Sequence, residues 1–318
     1  MENLIFSLNA TIPIFLVMVI GYVLKNLKFV DEPFIKTLNS FNYKITLPVL
    51  LFKDISGSDF REVWDTSYVL FCFFVTLFCI TATWIITSKV YHKKNLVGEF
   101  VQASYRSSAA VLGIAFIQNI YGNAGMAPLM IIGTVPLYNI AAVLILSFTA
   151  PENGSPKGFS SAALKKSVKG IITNPIILGI LAGMAASLLR IEFPVIISKT
   201  ISNIAVLATP LALLGLGAGF EGKKALAEIK PTLVCSFIKL LLWPALFLPL
   251  AAVMGFRTEK LVALLVMLGS PTTVSCYIMA KNMKHEGILT SSVVVTTTFF
   301  SSVTLTFWLY LLKSFQLI

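Results

Sequence analysis

The chain has 318 residues, 57% of them hydrophobic and only 12% charged, with a formal net charge of +11. A soluble domain carries about a quarter charged residues, so an ordinary soluble core is excluded. The positive balance does not mark nucleic-acid binding, because the lysines sit in short stretches between apolar runs, where a membrane protein keeps them. Cys72, Cys79, Cys235 and Cys276 all fall inside apolar runs, without the spacing of a disulfide framework or a metal site. Met1-Glu2-Asn3 lacks the basic start of a signal peptide, so the first apolar run is expected to be retained.

About 20 apolar residues span a bilayer as a helix, and continuous rather than alternating hydrophobicity argues against a barrel. Ten spans are predicted. The first, 5–24, contains Pro13 and Gly21. The second, 34–52, carries Asn42, Lys44 and Pro48. The third is 68–90. The fourth, 97–121, has the polar centre Arg106-Ser107-Ser108 where lipid would ask for leucine. The fifth, 126–149, holds Pro136-Leu-Tyr138-Asn139. A linker rich in Pro, Gly, Ser and Lys follows at 150–167. Spans six to eight are 168–189, 197–219 and 232–255. Span nine, 260–281, contains Ser270-Pro271-Thr272-Thr273, and span ten, 288–312, contains Thr296-Thr-Thr298 and Ser301-Ser302.

One constant offset pairs Pro13 with Pro175, Gly21 with Gly183, Pro48 with Pro210, and Ser108 with Ser270. Matched prolines and glycines inside helices are poor accidents, because they disturb helices. The chain therefore divides into a first repeat, 1–149, the linker, 150–167, and a second repeat, 168–318. With five spans each, the second enters the membrane inverted, a construction common in secondary transporters. Lysines and arginines concentrate in the loops after the odd-numbered spans, for example Lys25, Lys93, Lys165 and Lys223. That bias places the linker in the cytoplasm and both termini outside, with the cell membrane as location.

Ser270 followed by Pro271 has the composition of a helix start, Ser as N-cap and Pro as first helical residue. Such a start within a span implies a broken helix, and Ser107-Ser108 occupies the matching place in span four. Free N–H groups at the second half of each broken helix suit an anion. The alternative is that these hydroxyls only pack or bond within helices. Three basic residues, Lys44, Arg106 and Lys239, lie within spans, at a cost of roughly 2.5–3.5 kcal/mol or more for a central charge. Arg106 is the candidate anion partner. Lys44 is a second candidate, and Lys239 is expected to snorkel to the cytoplasmic end of span eight. Tyr138, Asn139 and Asn42 could line a cavity. No acidic residue is comparably deep, and no paired acid, metal set or nucleophile–base constellation appears.

Ile12-Pro-Ile-Phe with Gly21-Tyr, Leu38-Asn-Ser-Phe with Leu47-Pro-Val-Leu-Leu-Phe52, Ala103-Ser-Tyr-Arg-Ser-Ser with Gly113, and Gly269-Ser-Pro271 together resemble the auxin efflux carrier family. That family includes plant PIN-type carriers and bacterial malate or malonate permeases. The resemblance implies an all-α, ten-helix, five-plus-five inverted fold, with spans four and nine crossing at their breaks. It implies a substrate site at the crossing, with Ser108 and Tyr138 at the family's contact positions, and the residues already singled out, Arg106, Ser107, Asn139, Ser270, Pro271, Thr272 and Thr273, complete the candidate site. The family usually has Gly-Asn after the span-four Arg, where this chain has Ser107-Ser108, and often a Pro where it has Ala115. Its crossover Asn is a substrate contact in PIN-like members, and Ser108 stands there. The expected activity is secondary transport of a small carboxylate such as malate or an auxin-like acid, without cofactor, enzyme chemistry or nucleic acid. The bilayer is the obligatory partner, and a homodimer is compatible with this reading. A sodium-coupled bile-acid-type carrier is the alternative of the same class. A substrate-sensing receptor or an intramembrane enzyme are those of other classes.

Overall fold

The computed structural model describes residues 2–56, 64–91, 94–109, 117, 120–122, 126–150 and 173–318. The linker, the start of span six and Ala115 with most of the second half of span four fall outside the described residues.

All regular structure among the described residues is helical. Helix α1 is Glu2–Asn26. The second span is composite: α2, Glu32–Phe41, a π-helical turn, Asn42–Thr46, and α3, Leu47–Ser56. There follow α4, Thr66–Val90, α5, Lys94–Tyr105, and α6, Ala127–Thr149. The later half holds α7, Pro175–Leu188, α8, Val195–Val206, α9, Ala208–Ala218, and the short α10, Gly222–Ala227. Next come α11, Ile229–Phe237, a second π-turn, Ile238–Leu242, and α12, Trp243–Val253. The chain closes with α13, Glu259–Gly269, α14, Ser275–Asn282, and α15, Ile288–Ser314.

Among the described residues, five helical stretches are long and apolar enough to cross a membrane: Thr66–Val90, Ala127–Thr149, Val195–Ala218, Ile229–Val253 and Ile288–Ser314. Phe15–Asn26 and Pro175–Leu188 are shorter apolar segments. The outer surface exposes Phe74, Ile86, Ile196, Val253, Phe299 and Val303. Gln102, Arg106, Lys239, Thr290 and Thr297 are buried inside. Water would penalise an apolar surface of this extent, whereas lipid matches it.

Both π-turns precede a proline, which lacks an N–H and leaves the carbonyl four residues earlier without its helical partner. At Pro244 that carbonyl belongs to Leu240, and the Trp308 indole donates to it at 3.0 Å. At the other π-turn, the Asn42 side chain donates to the Ala208 carbonyl at 2.9 Å and accepts from Thr46 at 2.6 Å. It thereby ties the kink of the second span to the kink between α8 and α9. The start of α4 is fixed differently. Asp65 accepts from the Tyr68 N–H at 3.0 Å and pairs with Lys260 at the head of α13. The Lys260 hydrogen bond first, and the Tyr68 N–H second, hold the Asp65 carboxyl below its ordinary range.

Close helix approach depends on small residues. A side chain on Gly21 would strike the Leu214 carbonyl of α9, and one on Gly183 would strike the Phe52 carbonyl of α3. The offset that pairs Gly21 with Gly183 also pairs Phe52 with Leu214. Gly217 lies directly against the backbone of Met18 in α1. A methyl group there has no flexible neighbour to displace. Gly217→Ala is expected to destabilise by about 1–3 kcal/mol, as overpacking does, and to lower the melting midpoint in detergent. Gly222→Ala, whose added carbon would meet only Phe220 at 3.9 Å, serves as the control. Equal melting of Gly217→Ala and the unsubstituted protein would contradict the close approach.

Candidate functional site

Two helices stop inside the protein and meet. The last helical bond of α5 runs from the Arg106 N–H to the Gln102 carbonyl at 3.2 Å, after which the chain straightens. In the other partner, α13 ends at Gly269, Ser270 is extended, and α14 begins only at Ser275. The two straight pieces pair: Ser107 bridges Thr272 in antiparallel fashion, and the Ser108 N–H donates to the Pro271 carbonyl at 3.0 Å. The expected helix start at Ser270-Pro271 is therefore corrected. Ser270 is the C-cap of α13, and Pro271 and Thr272 are used in the strand-like contact, so the second half-helix starts four residues after Pro271.

Interrupted helices leave unpaired carbonyls at their C-terminal ends, and side chains from neighbouring elements fill them here. At the end of α5, Thr272 Oγ1 donates to the Ala103 carbonyl at 2.7 Å, and the Trp243 indole to that of Ser104 at 3.1 Å. At the end of α13, the Met267 carbonyl accepts from Ser107 Oγ and from the Tyr138 hydroxyl at 3.2 Å. The Leu268 carbonyl accepts from Lys239 Nζ at 2.7 Å. Lys239 does not snorkel. It is fully buried in the second π-turn and points into the crossing.

Arg106, 2% exposed, sits where α5 gives out. Its Nη2 donates to Asn139 Oδ1 at 2.7 Å and to Ser275 Oγ at 3.0 Å, and its Nη1 reaches Met279 Sδ at 2.8 Å. Asn139 is oriented by its own amide, which donates to the Val135 carbonyl at 2.8 Å. The Nε–H of Arg106 has no hydrogen-bond partner among the described residues.

A cavity of about 80 Å³ lies beside this arginine. Leu47, Leu50, Leu51 and Asp54 of α3 form one wall, with Ile176 of α7 and Ala208 and Thr209 of α9. Opposite are Arg106, Ser107, Ser108 and Ala109, then Val135, Tyr138 and Asn139 of α6, and Thr273, Val274 and Ser275. Of the residues singled out from the sequence, Arg106, Ser107, Ser108, Tyr138, Asn139 and Thr273 thus share one cavity. Ser270, Pro271 and Thr272 stand behind it in the crossing. Asn42 is buried in its π-turn away from the lining, and Lys44 is exposed on the outer face of the same turn.

Sequence reasoning missed three groups. Asp54 follows Lys53 and was assigned to a loop, yet the second span continues to Ser56. The spacing Leu47, Leu51, Asp54 is one helix face and would have revealed it. Ser275 was read as part of a helix interior, whereas it opens α14. Glu99, near the end of span four, is 2% exposed and caps α15. It accepts from the Gly287 and Thr290 N–H groups at 2.8 and 3.0 Å and from Thr290 Oγ1 at 2.9 Å. A second, wider cavity, about 850 Å³, opens at the ends of α2 and α14. Lys36, Lys281, Lys284 and His285 line it with the single acid Glu32.

Comparison with known proteins accords with this arrangement. A protein of Rhizobium meliloti (strain 1021) named "Putative malonate transporter" is 25% identical over 322 residues, covering 95% of each chain. Residues 6–309, nearly the whole sequence, match a family described as membrane transport protein. The chain is a multi-pass membrane protein of that family, the auxin efflux carrier family, and its function is transport rather than catalysis.

Proposed function

We propose that this protein is a secondary carrier for a small organic anion of dicarboxylate size, malonate or malate in kind, working by alternating access across the cell membrane. The observation that carries the reading is Arg106: a buried guanidinium at the edge of a small cavity, with one N–H unpartnered among the described residues. A buried unsatisfied donor is costly, and a carboxylate oxygen would satisfy it. Ser107, Ser108, Tyr138, Thr273 and Ser275 line the same space. The name of the Rhizobium relative supports the same class of substrate.

Cavity size separates this reading from a bile-acid-type carrier. A water needs roughly 10–15 Å³ by the same measure, so about 80 Å³ suits a molecule of a few heavy atoms. That volume favours a small acid over a steroid.

The proposed architecture is the ten-span inverted repeat, 1–149 and 168–318 joined by a cytoplasmic linker, with both termini outside. It is supported by the repeated contact between Gly21 and Leu214 and between Gly183 and Phe52. If it holds, the basic wide cavity is the cytoplasmic entrance, and its lysines attract anions toward the crossing.

Arg106→Gln keeps length and polarity but removes the charge. It is expected to abolish uptake of labelled malonate into proteoliposomes while the protein stays monodisperse. Arg106→Lys is expected to keep below about a tenth of the activity, because one ammonium cannot reach Asn139, Ser275 and Met279 together as the planar fork does. Uptake by Arg106→Gln at the unsubstituted rate would remove the electrostatic basis of the proposal.

Asp54 gives a second expectation. An anion entering beside an ionised carboxylate is repelled, so binding favours the protonated acid and draws in a proton. Uptake should rise as pH falls, and Asp54→Asn should flatten that profile. An unchanged pH profile in Asp54→Asn would exclude Asp54 as the proton acceptor.

The orientation is tested by a cysteine at Ser160 in a background without the native cysteines. It should react with an impermeant thiol reagent only after the cells are opened.

A further inference from the structure

Lys239 is fully buried, and among the described residues no carboxylate pairs with it. The ion pairs among the described residues are Lys25–Glu32, Lys224–Glu221 and Lys260–Asp65, all elsewhere. Its ammonium instead faces oxygen. It donates to the Leu268 carbonyl at 2.7 Å, to the Met267 carbonyl at 3.4 Å and to the Ser107 hydroxyl. Two of these are end carbonyls of the interrupted α13, where the helix dipole is negative and a cation is favoured. The third belongs to the other interrupted span. Oxygens from unwound backbone and half-helix C-terminal ends are also the donor set that holds sodium in carriers with broken helices. Lys239 lies in the π-turn Ile238–Leu242 and is buried, with its ammonium among these oxygens.

We propose that Lys239 is a built-in cation: its ammonium occupies the oxygen cage at the crossing, so this carrier needs no bound alkali ion, and emptying the cage creates such a need. Lys239 is a positioning residue. It does not itself line the substrate cavity and acts by holding the ends of α5 and α13 together through Ser107, which does, and Leu268. A merely structural lysine and a substitute ion make different demands. Loss of a structural lysine is not repaired by salt, whereas loss of a substitute ion is repaired by an ion small enough to enter.

The inference rests on the transport reading only for its flux measurement, and a melting measurement stands apart from it. In proteoliposomes, malonate uptake by the unsubstituted protein should stay within about twofold when sodium and potassium are replaced by N-methylglucamine. A saturable requirement for either ion would overturn the proposal. For Lys239→Ala, sodium or potassium chloride should raise the melting midpoint in a saturable way relative to choline chloride at equal ionic strength. The unsubstituted protein should show no such difference. In the same variant, uptake should fall at least about tenfold in N-methylglucamine and recover in part with sodium or potassium. A variant whose melting and uptake ignore the ion refutes the idea. Lys239→Ser leaves the cage equally open and supplies the same readings if the alanine variant does not fold. If malonate is the wrong substrate, uptake is absent in every medium while the melting shift persists, so the two failures are told apart.

Discussion

A helix that stops inside apolar surroundings leaves its last carbonyls without donors, and no water is available to supply them. This constraint organises the crossing of α5 and α13. Six side chains end on five carbonyls there: Thr272 on Ala103, Trp243 on Ser104, Ser107 and Tyr138 on Met267, and Lys239 on Leu268, with Cys276 making a weak contact to Gln102. The apolar helices outside can vary in packing. The crossing cannot, because each missing donor would expose a buried carbonyl at about 1–3 kcal/mol.

The same constraint explains why the cavity lies where it does. Straight backbone at Ser107–Ser108 and at Ser270–Thr272 cannot present side chains as a helix does, so Arg106 and Ser275 come to face one another across the break. The guanidinium is thereby held by Asn139, Ser275 and Met279, while its buried Nε–H has no hydrogen-bond partner among the described residues. Rigid placement of a charge costs little reorganisation when an anion arrives, which is the advantage of a preformed site.

Hydropathy made the five long apolar helices legible, because lipid imposes length and apolarity on a crossing segment. The two interruptions were legible in Ser107-Ser108 and Ser270-Pro271, but the start of the second half-helix was not, because Pro271 is taken up in the strand-like contact and α14 begins at Ser275. What could not be read was rotation about each helix. Lys44 and Lys239 look alike in sequence, each a lone lysine in a span shortly before a proline. Lys44 lies four residues before Pro48, and Lys239 five before Pro244. One residue turns a helix by about 100°, and that turn leaves Lys44 exposed and Lys239 fully buried. Asp54 was hidden similarly, since Lys53 beside it points the eye to a loop while the helix face carrying Leu47 and Leu51 continues through it.

Charge then divides into two roles a few residues apart. Lys239 meets only protein oxygen and answers a need created by the fold, the negative end of α13. Arg106 meets protein oxygen and sulfur on one side and open space on the other. A carrier must hold its substrate firmly enough to select it and loosely enough to release it. With the backbone's own demand met by Lys239, the charge of Arg106 is not drawn off to stabilise helix ends. In the proposed reading it remains directed at the cavity, where Asp54, which lines the same space, would oppose its attraction for an anion. A positive and a titratable negative group bounding one small cavity allow affinity to change with a single proton, without any rearrangement of the crossing itself.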